Sequence, residues 1–384
     1  MKHLKHLSVM FIVFSIIIFA IFNCSNDSPT SSEESIQQKL KNALDETFSR
    51  FQGKGISAAV VLPDGEIWKG TEHIQGSSPI TPDQIFWVAS ITKMFTAALT
   101  LQLVDEGKLG LDDSLYKFLP TYPYVDSTIT IYQLLTHTSG VFDFPNNPHY
   151  SEIINEDPNN IWTPEEIVTR LFDTPYFAPG EGWRYSSGGY VLLGMVIEKV
   201  TGNKVSEEFR HRFYEPFGLH STFFDGQDPI TANFANFWAD SNNDGIEEEI
   251  PVLSTQRLSM TTAAYSAGAL FSTAEDIAKW TDDLFGKKLV LSQEMLDYML
   301  DFYTNLPPDF GWLGYGMGAA VFRTSMVDGV YAYGHGGWGA YEISATAYLP
   351  AYNASVTILL NSQNWTLWEK SMNALCKVII DNYD

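Results

Sequence analysis

Phe86-Trp-Val-Ala-Ser90-Ile-Thr-Lys93-Met-Phe-Thr-Ala-Ala-Leu-Thr-Leu-Gln-Leu-Val-Asp-Glu106-Gly107 is the stretch on which the reading turns. Residues 90–106 are apolar over much of a helical surface and stop at Gly107, a good C-terminal stop signal. A helix that apolar has no solvent face and belongs at the centre of a domain. A helix turns about 100° per residue, which puts Ser90 and Lys93 on one face, one turn apart. The lysine amine can then reach the serine hydroxyl. A serine hydroxyl is a poor nucleophile until a base takes its proton. A partly buried lysine can be that base, because desolvation disfavours its charged form, and the helix N-terminus favours an anionic oxygen. The competing reading is a helix-start serine beside a snorkelling lysine. Spacing alone does not choose, since Ser114-Leu-Tyr-Lys117 has the same spacing. That copy precedes Leu119-Pro120 with no long apolar helix behind it and is read as chance.

Two further motifs follow in chain order. Tyr185-Ser-Ser187 comes after the turn-rich Pro179-Gly-Glu-Gly-Trp-Arg184 and before an apolar helical run over residues 190–200. A tyrosine there can point its hydroxyl into a cleft. With an ordinary pKa near 10, it needs a nearby cation to act as a base, and Lys93 is the candidate. Among 19 tyrosines, packing is the competing role. Gly334-His335-Gly-Gly337-Trp338-Gly339 follows an apolar stretch. Glycines in a strand suggest close approach of a ligand or another backbone. Such an edge could pair with a substrate amide and lend an N–H to an oxyanion hole.

Outward from these motifs, residues 39–51 carry a helical apolar stripe. Residues 56–62 and 66–70 flank Pro63-Asp-Gly65 as a hairpin. Residues 344–349 and 355–361 flank another turn, and a periodic apolar segment over 368–380 closes the chain. Residues 86–217 read as mostly helical. The expected fold class is α+β: an antiparallel sheet built from both chain ends, flanked by helices, with the helical region inserted. No internal repeat is visible.

The 384 residues are 45% hydrophobic, enough for one large domain or two interlocked ones. A formal charge of −23 argues against nucleic-acid partners. Residues 1–24 read as an export signal, with a basic start and an apolar core too short for a confident membrane span. The end of that signal, Ile21-Phe-Asn-Cys24, resembles a bacterial lipoprotein box with Cys24 as the lipidated residue, although Phe22 departs from the small residue usual there. The expected organisation is a signal over 1–24, a Ser- and Asn-rich tether over 25–38, and one catalytic domain over 39–384. The expected location is the bacterial cell envelope, anchored at Cys24, or otherwise the periplasm or medium. Cys376 reads as a buried inert thiol. Asp240, Asn242 and Asp244 match the start of a calcium loop, but Pro251 stands at its twelfth position, so an Asn-Asp-Gly turn competes. No other metal pattern and no cofactor is implied.

Taken together, Phe86-Trp-Val-Ala-Ser90-Ile-Thr-Lys93, Leu134-Leu-Thr-His137-Thr-Ser-Gly140, Pro179-Gly180 before Tyr185, and His335-Gly-Gly337 resemble the serine β-lactamase and penicillin-binding protein superfamily. The nearest branch holds class C β-lactamases, D-alanyl-D-alanine carboxypeptidases and related esterases. The resemblance spans residues 56–361 and implies the β-lactamase/transpeptidase-like fold. It also implies that Ser90 is acylated, that Lys93 takes or relays its proton, and that Tyr185 exchanges protons with the leaving group and the attacking water. The backbone N–H groups of Ser90 and Trp338 would form the oxyanion hole. His335 would hold the proton network and the substrate, with Gly336 and Gly337 on the substrate-binding strand, and His137 would be architectural. Ser187 stands where the family has asparagine, and it cannot offer both donor and acceptor at that reach. His335 stands where a lysine is usual, leaving no permanent charge for a substrate carboxylate, unless Arg323 compensates. The expected activity is hydrolysis of an ester or amide, with a D-alanine-terminated peptide from peptidoglycan among the candidates. The alternatives are a β-lactamase and, in another class, a non-catalytic binding or scaffold protein.

Overall fold

The computed structural model describes residues 34–240, 244–252, 257–306, 312–323 and 330–384, with the side chains of 321–323 left aside. Helix α1 (Ile36–Arg50) runs into strand β1 (Gly55–Val61) and strand β2 (Ile67–His73). The hairpin between the strands turns at Gly65, whose φ of 86° suits glycine, and Asp64 accepts the Glu66 N–H. The helix begins at Ile36, so residues 36–38 belong to the domain and not to the expected tether. Residues 1–24, with Cys24, lie outside the described residues.

Five strands from the other chain end complete the sheet: β3 (Gly314–Tyr315), β4 (Ala320–Arg323), β5 (Tyr331–Trp338), β6 (Ile343–Leu349) and β7 (Ala354–Leu360). Their order is β2-β1-β7-β6-β5-β4-β3, with every neighbouring pair antiparallel. The expected α+β sheet from both chain ends is therefore present. Both faces are covered. Alternate residues of β1 divide accordingly: Ile56, Ala58 and Val60 join an outer core with α1 and the last helix, α6 (Trp365–Tyr383), while Ala59 and Val61 join the inner core.

The inner core is built on α2 (Thr92–Asp105), α3 (Ser187–Thr201), α4 (Arg257–Gly268) and α5 (Ala274–Thr281). The insertion between the two parts of the sheet is larger than the expected 86–217, because α4, α5 and the helix Gln293–Met299 also belong to it. Helix α2 is buried along almost its whole length, as its all-round apolar sequence demands. The strand Phe86–Trp87, just before α2 in the chain, joins a short three-stranded sheet with Leu270–Ser272 and Phe223–Phe224, which fixes the start of the helix. Helices α3 and α4 meet at Gly194, where a β-carbon would lie 2.2 Å from Ser266 Oγ. Cys376 is free and buried on α6, and burial pushes its thiol pKa up to about 12. No helix among the described residues is long and apolar enough to cross a membrane.

Candidate active site

Ser90 sits in a single 3₁₀ turn, Ala89–Ile91, that leads into α2. Ala89 holds a positive φ of 45°, a conformation that an L residue adopts only when its surroundings enforce it. The enforcing contacts are visible on both sides. The Val88 N–H donates to Leu270 O at 3.0 Å, and Val88 O accepts from Ser344 Oγ at 2.8 Å. The turn is thus clamped between the small sheet and β6.

Lys93 lies one turn on, fully buried. Its Nζ donates to Ser90 Oγ at 3.0 Å, Ala267 O at 2.9 Å and Ser187 Oγ at 3.4 Å. The Ala267 carbonyl is available because α4 breaks at Tyr265 (φ 40°, ψ −132°), which turns the last carbonyls of the helix toward α2. Ser266 O likewise accepts from Thr96 Oγ1 at 2.6 Å. Burial pulls the Lys93 pKa down to about 7, against the opposing pull of the Asp143 carboxylate.

Tyr185 closes the other side of Ser90. Its ring lies 4.8 Å from Lys93 Nζ, and its hydroxyl is turned toward Ser90. The sequence suggested a cation-assisted tyrosine base. Burial works against that base, pushing the phenol pKa well above its usual value against the opposing effect of Ser90. Burial thus favours the protonated phenol at Tyr185 and the neutral amine at Lys93.

His335 is buried in β5, with Nε2 3.1 Å from the Tyr315 hydroxyl and Nδ1 2.5 Å from Gly336 O. Burial, helped by the nearby Lys93 charge, pulls its pKa down to about 3. It stands neutral on the strand, joined to the Tyr315 hydroxyl. His137 is also buried and held neutral by burial. Its ring centre lies 4.5 Å from that of Tyr185, and its Nδ1 accepts the Ser186 N–H at 3.2 Å. It fixes the Tyr185 segment, the architectural part expected of it.

Beside Ser90, β5 is open. Strand β4 pairs with it only from Tyr331 to Gly334, so the main chain from His335 to Trp338 has no strand on that side among the described residues. A β-carbon on Gly337 would lie 2.2 Å from Val88 O, which measures how closely this strand passes the nucleophile turn. Trp338 and Ser90 line one cavity of about 210 Å³ with Trp87, Phe144, Tyr150 and Ser187. Arg323 is not brought there: its backbone pairs with Tyr331, six residues before Gly337, roughly 20 Å along the strand. A larger cleft of about 800 Å³, bordered by Asp225, Asp228 and Arg257, contains none of Ser90, Lys93 and Tyr185.

One residue of the site escaped the sequence reading. Asp143 accepts the Ser187 N–H at 2.7 Å and the Ser187 hydroxyl, and it faces Lys93. Burial raises its pKa. The only signal was an acid three residues past Gly140, in a loop read as architecture. The short side chain at Ser187 is thus backed by a carboxylate. Asn242 lies outside the described residues, and Asp240 accepts the N–H groups of Asp244 (3.0 Å) and Gly245 (2.9 Å), as an Asn-Asp-Gly turn would. Among the described residues, no group of three His, Cys, Asp or Glu could hold a metal.

A helix-borne serine, a buried lysine of depressed pKa and a phenol donor, set beside an open strand, define a serine hydrolase. The family description Beta-lactamase matches residues 44–374, and the chain belongs to that family. Penicillin-binding protein 4 of Amycolatopsis lactamdurans is 26% identical, over 79% of this chain and 80% of its own length. Esterase EstB of Burkholderia gladioli is 29% identical, over 56% of this chain and 60% of its own. The D-amino acid amidase of Ochrobactrum anthropi SV3, complexed with L-phenylalanine amide, superposes with a TM-score of 0.80 and 25% identity, covering 91% of this chain and 100% of its own. The chain spans between a third and four-fifths of the length of the curated relatives it matches.

Proposed function

We propose that the protein is an exported serine hydrolase that forms an acyl-enzyme on Ser90, and that its esters and amides carry a neutral or cationic acyl part. The observation that carries the chemistry is the fully buried Lys93 Nζ, 3.0 Å from Ser90 Oγ, with a pKa of about 7. Neutral Lys93 takes the Ser90 proton as Oγ attacks the carbonyl carbon. The oxyanion falls to the N–H groups of Ser90 and Trp338. Tyr185 gives its proton to the departing oxygen or nitrogen, and Lys93 returns a proton to Tyr185. Water then attacks the acyl carbon, its proton passes back through the same groups, and Ser90 leaves as a hydroxyl.

Substrate charge follows from what surrounds the serine. Among the described residues, none that lines the cavity carries a permanent positive charge, His335 is neutral, and the Asp143 carboxylate lies behind Ser187. Among the described residues a free carboxylate on the substrate finds no partner there, which counts against D-alanine-terminated peptides and penicillins. An ammonium group or an aromatic ring suits the acid and the surrounding Trp87, Phe144 and Tyr150. Amino-acid amides, of the kind named for the Ochrobactrum amidase, have this character. The basic and apolar residues 1–24 ending at Cys24 support export and lipid anchoring.

The test is intact-mass spectrometry of the full chain mixed separately with D-phenylalanine amide, its methyl ester, D-alanyl-D-alanine and a penicillin. Expected are a Ser90 adduct and turnover with the amide and ester, about tenfold or more above the carboxylate-bearing compounds, and neither with Ser90→Ala. A lasting penicillin adduct with no amide turnover would reverse the substrate reading. Turnover surviving in Ser90→Ala would remove the mechanism.

A further inference from the structure

Three indoles lead outward from the proton donor of the site. The Trp312 ring centre lies 5.8 Å from that of Tyr185 and 6.1 Å from that of Trp338, which is 5.6 Å from that of Trp365. Successive indole planes differ by only 36° and 33°. Trp368 then meets Trp365 edge-on at 6.1 Å and backs the outer end. Trp338 is 40% exposed and Trp365 44%. Two adjacent indoles left that open form an apolar patch at the mouth of a catalytic site, which core packing does not require.

The track is built rather than accidental. Its members come from three places: the loop before β3, the last residue of β5 and the first residue of α6. The Gln363 side chain ties two of these together, donating to Gly339 O at 3.1 Å and Ala340 O at 2.7 Å. The hairpin end carrying Trp338 is thereby fixed against the segment carrying Trp365, and the rings are held in place before any ligand arrives.

Position decides which part of a substrate would use it. Trp312 flanks Tyr185, which stands to protonate the leaving atom. The cavity lined by Trp87, Phe144 and Tyr150 lies along Ser90 and takes the acyl part; it meets the track only at Trp338, and neither Trp312 nor Trp365 lines it. We propose that the Trp312–Trp338–Trp365 track is a leaving-group site that selects alcohols and amines bearing a flat ring, either aryl or pyranose. Both present a flat C–H or π face to an indole, and neither needs a charge. This rests on the acyl-enzyme reading above, since only a transferred acyl group gives the departing fragment its own site.

The experiment uses the full chain and esters of one acid, with alcohols of matched leaving-group acidity. One set carries a benzyl or phenyl ring, one a glucopyranose, and one only short acyclic ethers. Acylation, read as kcat/KM, is expected to favour at least one ring-bearing set about tenfold over the acyclic set. Trp365→Ala should bring the ratio close to one while leaving the acyclic esters unchanged, and Trp365→Phe should restore most of it. Aryl and pyranose arms responding separately identify the source of the ring. Equal kcat/KM for all three sets in the unaltered protein would overturn the proposal. So would a Trp365→Ala protein that loses ring-bearing and acyclic esters alike. A protein that forms no Ser90 adduct with any ester fails earlier, and that failure belongs to the acyl-enzyme reading.

Discussion

At the scale of single residues, the site is governed by burial. Three buried titratable groups of the site all shift toward their neutral forms: Lys93 falls to about 7, His335 to about 3, and Tyr185 rises well above its usual value. The sign of the pH dependence follows. Lys93 must be neutral to take the Ser90 proton, so kcat/KM on an uncharged ester should fall about tenfold per pH unit below pH 7 and level off above it. His335 stays neutral from pH 5 upward and adds no limb there, and Tyr185 keeps its proton through pH 9. Asp143 is the group that holds the Lys93 pKa up. Asp143→Asn should therefore move the acid limb to lower pH. A pH–rate series on both proteins checks this. A limb centred near pH 9, or one that Asp143→Asn moves upward, contradicts the assignment.

At the scale of elements, two local departures from regular structure aim the groups. The break in α4 at Tyr265 supplies carbonyls to Lys93 and Thr96, and the positive φ at Ala89 presents Ser90. Strand β5 must pass very close to that turn. Gly337→Ala would drive a methyl to 2.2 Å from Val88 O and 2.3 Å from Ser344 Oγ. The strand would shift away from Ser90, costing roughly 1–3 kcal/mol of stability and about a hundredfold in kcat/KM. At Gly336 the nearest atom to an added methyl is 3.5 Å away, so Gly336→Ala should melt near the unaltered protein. Thermal melting and steady-state kinetics on the two variants separate these outcomes, and equal behaviour would show that the Val88 contact does not set the strand position. Glycines 334, 336, 337 and 339 were legible in the sequence as a sign of close approach. What they approach was not, because Val88 and β5 are about 250 residues apart along the chain.

At the scale of the whole molecule, the sheet separates the two larger cores, and Lys93 lies on the side of the inner one. Leu375, fully buried between the sheet and α1, belongs to the outer one. Leu375→Ala should cost about 2–5 kcal/mol, read by urea unfolding, with kcat/KM unchanged at 25 °C; a matching loss of activity would mean that the two layers are coupled. The same division explains what the sequence could decide alone. Periodicity of two and of 3.6 residues is local, and it marked the terminal strands, the all-round apolar helix behind Ser90 and the spacing of Ser90 and Lys93. Their family motifs, read in order, marked Tyr185 and the His335 strand. Only the tertiary structure decided the charge states and the partners. It shifted His335 and Tyr185 toward their neutral forms, set Asp143 behind Ser187, left the Arg323 backbone far down the strand and joined tryptophans from distant segments. Protonation depends on desolvation and on groups brought together by long-range folding, and neither is written in the spacing of neighbouring residues.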